Sequence, residues 1–274
     1  MSERKQAFLF IGLTMIMSWI VLWGPLALFQ IDPTNLGSLE ELKIIPFILF
    51  TLNGFMPSII GIVLYLKFDG KKKTKERLKS IISFKKTTWI LVLEITLIFV
   101  AICGLQIAIY AIFIDRFDFR VFYITLPQII PIIILGPLSQ EIGWRGFLHD
   151  KLNKGFELHI IALIIGVFWA LWHLPLFFMP GTSQFELGVN YIPFMINIIL
   201  ISIMMSVYYF RSKGSLLIAI FIHFLYVYSL TIYLLGTTYS LITSMITILP
   251  VLLATDVLLH THWNKIKSQE VIVE

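Results

Sequence analysis

AFLFIGLTMIMSWIVLWGPLALF, residues 7–29, carries no charged side chain from end to end. It exceeds the roughly 18 apolar residues that cross a hydrocarbon layer as a helix. It follows Arg4 and Lys5 as a secretory signal would, but it is too long for an ordinary signal core and has no small-residue cleavage site, so it reads as a retained membrane helix. Similar runs recur down the chain. Of 274 residues, 58% are apolar and 14% charged, and the mean hydropathy is +0.89. That is too little polar surface to cover a soluble globule, so a bilayer must act as part of the solvent.

Helices are predicted near 7–30, 45–67, 88–114, 124–152, 157–178, 191–210, 215–234 and 240–259. The links are short, which predicts a single all-α membrane domain over 1–274, a polytopic bundle of about eight transmembrane helices. Pro25, Gly54, Pro127, Pro131 and Pro137 fall inside spans and predict kinks, above all just before Glu141. Cys103 is the only cysteine and sits in an apolar stretch, where packing is its expected role. There is no internal repeat.

The formal charge of +5 does not point to nucleic acid, because the basic residues lie in connecting segments and at span ends. Lys71, Lys72, Lys73, Lys75, Arg77 and Lys79 share one polar link, which the positive-inside rule assigns to the cytoplasm. Both termini then fall inside as well, with Lys151, Lys154, Arg211, Lys213, Lys265 and Lys267, while Lys43, Arg116 and Arg120 fall in outer loops. The expected setting is a multi-pass protein of the cell membrane. Trp19, Trp23, Trp89 and Trp263 lie near span ends, as interfacial anchors would. Asn53, Gln106 and Asn197 read as interhelical hydrogen bonders, and Glu94 lies close enough to the inner edge to reach water or a neighbour. His149, beside Asp150 and Lys151, falls at the inner interface, and His260 and His262 at the solvated end of the last helix.

An ionisable group at membrane depth costs at least about 2.5 kcal/mol, so each one is a candidate functional residue. Four stand out: Glu141 and Arg145 in 136-GPLSQEIGWRGFL-148, His173 in 168-FWALWHLP-175, and His223 in 214-GSLLIAIFIHFLYV-227. With a helical rise of about 1.5 Å per residue, Glu141 and His173 lie about 20 and 27 Å from the turn near Lys154 and Gly155, and His223 about 15 Å from the same side. Modest tilts bring all three to one level, in a shared polar cavity within the membrane. Glu141 and Arg145 are four apart, so they share a helix face and can pair. The pair alone reads equally well as a structural bridge, and a lone histidine is more often a bundle residue than a ligand. Together, a carboxylate and two imidazoles can bind a metal, move protons or activate water for hydrolysis.

The order Gln140-Glu141-x-x-x-Arg145, Trp169-x-x-x-His173, His223-x-x-x-Val227 resembles the three-motif pattern of the CPBP intramembrane metalloproteases, also called the Abi or CAAX-protease type II family. The resemblance covers roughly 127–229. It implies eight helices around a cavity open to the cytosol, and peptide hydrolysis by water that a glutamate and histidines activate. By position it implies a catalytic set of Gln140, Glu141, Arg145, His173 and His223, and, where a divalent metal such as zinc is bound, the ligands Glu141, His173 and His223. Two positions depart from the pattern. Gln140 stands where the family's water-activating glutamate falls, and Val227 where an asparagine or aspartate is common. General base catalysis supplies about 10²- to 10⁴-fold and one oxyanion donor about 10²- to 10³-fold, so both departures bear on turnover. The expected partners are the lipid bilayer and a peptide or membrane-protein substrate. The alternatives are a catalytically silent peptide-binding scaffold, akin to a bacteriocin-immunity protein, and a transporter that uses the same residues as a proton relay.

Overall fold

A computed structural model describes residues 1–35, 44–82 and 86–270, with the side chains of 86–88 and 262–270 outside that description. Lys43, and the side chains of His262, Trp263, Lys265 and Lys267, therefore lie outside the described residues. Among the described residues, eight helices are long and apolar enough to cross a membrane. We label the helices α1 (Glu3–Leu28), α2 (Ile44–Phe68), α3 (Gly70–Lys79), α4 (Lys86–Phe113), α5 (Val121–Leu152), α6 (Leu158–Phe178), α7 (Tyr191–Arg211), α8 (Leu216–Gly236) and α9 (Leu241–Glu270). All but α3 are spans. The described residues contain no strand. Large apolar side chains cover the outer surface, among them Ile20, Leu28, Ile112, Ile130, Ile192 and Val257. Apolar surface on that scale is stable only against lipid.

The broken span is α5. Its proline-bearing first half passes through a 3₁₀ turn at Leu126–Gln128 and a wide π turn at Ile134–Leu138 that contains Pro137. A second π turn runs over Ile142–Leu148. Proline removes a helical donor and crowds the preceding turn, and widening the helix relieves both. The expected kink before Glu141 takes this form, and the Glu141 side chain emerges between the two wide turns.

Close backbone crossings lock α5 into the bundle. A Cβ added at Gly143 would lie 2.1 Å from the Pro57 carbonyl oxygen, and one at Gly61 would lie 2.9 Å from Gly143 Cα. Only hydrogen fits there, so α2 rests directly on the motif of α5. On the other side, Gly166 of α6 lies against Ile199 of α7, and Ser202 Oγ donates to the Ala162 carbonyl at 2.8 Å. Buried aromatics fill the space between, including Phe10, Trp144, Phe147, Trp169 and Trp172.

One end of the bundle is basic and knitted by ion pairs. Arg77 of α3 meets Asp150 at 2.6 Å, Tyr65 and Tyr209 also donate to Asp150, and Lys151 lies 2.8 Å from Asp69 and 3.0 Å from Glu3. Glu94 finds neighbours rather than water, accepting from Arg211 at 2.6 and 2.8 Å and from the Tyr208 hydroxyl at 2.7 Å. His149 is buried against the Tyr209 ring, and the exposed His260 lies 3.5 Å from Asp256.

Asn53 donates to Ser18, Gln106 to the Thr247 carbonyl and Asn197 to Thr247 Oγ1, each across a helix interface as expected. Cys103 packs beside Tyr110 and Tyr233. Trp23 corrects its expectation. Rather than anchoring at an interface, it is buried, with its ring centroid 4.6 Å from that of Trp172 and its indole N–H donated to the Phe50 carbonyl. Trp19 and Trp89 are exposed, as anchors would be.

Candidate active site

The site is built on α5, α6 and α8. The second π turn of α5 keeps Arg145 on the side of Glu141, and the guanidinium Nη1 lies 3.2 Å from Glu141 Oε1, with both side chains 0% exposed. A charge pair sealed this deeply persists only where further hydrogen bonds support it. The support comes from α8, whose His223 Nδ1 lies 2.7 Å from the same Oε1. The carboxylate of α5 therefore bridges a cation and an imidazole.

Trp169 of α6 ties the remaining residues together. Its indole N–H donates to Gln140 Oε1 at 2.9 Å, and Arg145 Cζ stands 4.4 Å over its ring. The His223 ring meets it edge-on at 4.9 Å. One helical turn further on, His173 Nδ1 contacts the Trp169 carbonyl at 2.8 Å. A carbonyl oxygen only accepts, so Nδ1 of His173 carries the proton and Nε2 presents its lone pair. Glu141 Oε1, which accepts from Arg145, assigns the same tautomer to His223.

All five residues expected at the site, Gln140, Glu141, Arg145, His173 and His223, thus come together around one indole. Trp169 itself was legible only as part of the Trp169-x-x-x-His173 motif. Val227 packs against the hydrophobic core, one turn after His223.

Glu141 is sealed and His223 nearly so, while His173 keeps partial exposure. Phe194, which packs on His173 at 5.4 Å, also lines a cavity of about 30 Å³ together with Asn197, Tyr226 and Thr247. That volume holds about one or two waters. Glu141 Oε2, Arg145 Nη2, Trp172 Nε1 and the Tyr226 hydroxyl have no hydrogen-bond partner among the described residues. Buried polar atoms left this way need water or a ligand to satisfy them.

The expected metal ligands do not form a ligand cluster as arranged. His223 Nδ1 and Glu141 Oε1 are spent on each other and His173 Nδ1 on a backbone carbonyl. Among the described residues, no group of three or more His, Cys, Asp or Glu side chains is placed to hold a metal ion.

Residues 122–229, which contain Gln140, Glu141, Arg145, Trp169, His173 and His223, match the Type II CAAX prenyl endopeptidase Rce1-like family. Over that stretch the chain is similar to the CAAX-protease family. It is similar to CAAX prenyl protease 2 of Methanococcus maripaludis, with 27% identity over 193 residues that make up 65% of this chain and 70% of that protein. The three motifs fall on helices that meet at Trp169, and the eight spans among the described residues, these three included, make this a multi-pass membrane protein.

Proposed function

We propose that this chain is an intramembrane endopeptidase in which His223 is the general base and Glu141 its orienting carboxylate. The observation that carries the reading is the 2.7 Å contact between His223 Nδ1 and Glu141 Oε1 inside a sealed ion pair. The carboxylate holds the Nδ1 proton, which fixes the ring and leaves Nε2 basic. Water gives its proton to His223 Nε2 as its oxygen attacks the scissile carbonyl. The proton then passes to the departing amine as the C–N bond breaks. Glu141 is held in the orienting role by Arg145 and His223, both of which meet its Oε1. His173 presents a second bare Nε2 to hold the attacking water. The substrate class is a membrane-borne peptide, and the basic end of the bundle, with Lys71, Lys73, Arg77, Lys151, Lys154 and Arg211, faces the cytoplasm.

The purified protein in liposomes, given a panel of membrane-anchored peptides, is expected to release fragments. His223→Ala and Glu141→Gln should slow release by about 10²- to 10⁴-fold. Undiminished cleavage by His223→Ala overturns the mechanism. One observation favours a second reading, a silent peptide-binding scaffold: the amide of Gln140 cannot take a proton from water. That reading predicts tight peptide binding by the wild-type chain with no fragment released.

A further inference from the structure

We propose that Gln140 is a catalytic residue that donates its amide N–H to the oxyanion of the tetrahedral intermediate, and that Trp169 is the positioning residue that turns the amide to do so. This deepens the endopeptidase reading and rests on it.

The argument begins with which end of the amide faces the indole. An amide presents an oxygen that accepts and an NH₂ that donates, and the two ends are nearly the same size. Indole N–H can only donate. At 2.9 Å from Trp169 Nε1, the end of Gln140 facing the indole must be oxygen. The NH₂ group is thereby directed away from the ring. Gln140 is buried, with 6% of its surface accessible, and Nε2 donates to no described residue. Unlike Glu141 Oε2 and Arg145 Nη2, Gln140 Nε2 is not fully enclosed, which leaves it open to an incoming acceptor.

The surroundings suit an acceptor that becomes an anion. The ring that orients Gln140 also packs on His223 at 4.9 Å, so the donor and the base stand on one support. Arg145 lies over the same ring at 4.4 Å, and its charge is shared with a single carboxylate. A donor held in place before the charge develops needs no reorganisation when it does, which makes such groups effective in a dry site. At the position four residues after His223, Val227 is hydrocarbon packed against the core and supplies no donor. Trp169 is itself fixed, being fully buried with its carbonyl bound to His173.

In the full step, the water oxygen bonds to the scissile carbon as its proton moves to His223 Nε2. The carbonyl π pair moves to oxygen, which accepts from Gln140 Nε2–H. The pair then returns, the C–N bond breaks and the amine leaves with the proton from His223. Gln140 neither gains nor loses a proton. A glutamate at the same place would lose both donors and set a second carboxylate beside Glu141.

The test is binding of an inert phosphinate peptide, a mimic of the tetrahedral intermediate, compared with its parent amide peptide, to the full chain in detergent. The wild-type protein is expected to bind the phosphinate more tightly than the amide. Gln140→Glu and Gln140→Ala should each weaken phosphinate binding about 100-fold, with amide binding changed less than about threefold. Trp169→Phe keeps an aromatic face but loses the N–H, and should cost about tenfold on the phosphinate alone. The proposal is overturned if the wild type shows no preference for the phosphinate, if Gln140→Glu binds it as tightly as the wild type, or if Gln140→Glu cleaves peptide faster. Equal loss of both ligands in Trp169→Phe overturns the positioning role. Absence of wild-type cleavage with the phosphinate preference intact would remove the hydrolytic reading and leave the donor in place. His223→Ala separates the two further, since it should slow cleavage by about 10²- to 10⁴-fold while retaining the preference.

Discussion

Replacing Arg145 with methionine removes a cation from a fully buried position while roughly keeping its stem. In the wild type, Glu141 Oε1 accepts from Arg145 at 3.2 Å and His223 at 2.7 Å, and Oε2 has no partner among the described residues. After the substitution a fully enclosed carboxylate retains only the imidazole. Removing one partner of a buried pair costs about 3–5 kcal/mol, because the charge left behind is not hydrated. The lost contact with the Trp169 face, 4.4 Å from the guanidinium carbon, adds about 1–2 kcal/mol at a desolvated position. Reversible unfolding in mixed micelles with increasing dodecyl sulfate, followed by tryptophan fluorescence, measures the difference. The double variant Glu141→Gln with Arg145→Met buries no ion and should recover at least about 2 kcal/mol relative to Arg145→Met, since neutral replacement of a buried pair is often close to neutral. Arg120→Gln removes half of an exposed pair at the far end and should leave unfolding unchanged. The reasoning is refuted if Arg145→Met lies within about 1 kcal/mol of wild type, or if the two site substitutions simply add.

Gly143→Ala should destabilise the bundle by about 1–3 kcal/mol or more, because the new carbon would lie 2.1 Å from the Pro57 carbonyl oxygen, a backbone atom that cannot swing aside. The same unfolding assay checks it, and a neutral result would mean that α2 and α5 can part freely. Trp23→Phe removes the hydrogen bond to the Phe50 carbonyl and part of the packing on Trp172, for an expected loss of about 1–3 kcal/mol. No change in unfolding would return Trp23 to the role of an interfacial anchor. Exhaustive chelation should leave cleavage unchanged, since Glu141 and His223 are bound to each other and the side chains alone carry the proposed chemistry. Loss of cleavage that added zinc restores would refute it.

Eight apolar stretches were legible because a membrane span is set by length and hydrophobicity, and most of the observed ends fall within two or three residues of those read from composition. The Glu141–Arg145 pair was legible from four-residue spacing, and the common level of Glu141, His173 and His223 from helical rise. What spacing could not supply was rotation. Whether an indole faces lipid or core depends on which helix packs beside it, so Trp23 read as an anchor although α2 and α6 enclose it. Trp169 is the larger case. Its four partners come from three helices, and only packing shows that its N–H selects the oxygen of Gln140. Asp150 drew no attention as one acid among several charges at a span end, yet it gathers Arg77, Tyr65 and Tyr209.

The paired wide turns of α5 have a bearing on how this protein tolerates change in length. A residue removed between Ile134 and Leu148 would swing everything beyond it by about 100° around the helix axis. Glu141 and Arg145 would part company, or the glycine resting on Pro57 would be exchanged for a bulkier neighbour. The segment is indexed like a key: single letters along it can be swapped at graded cost, while a deletion moves every tooth at once.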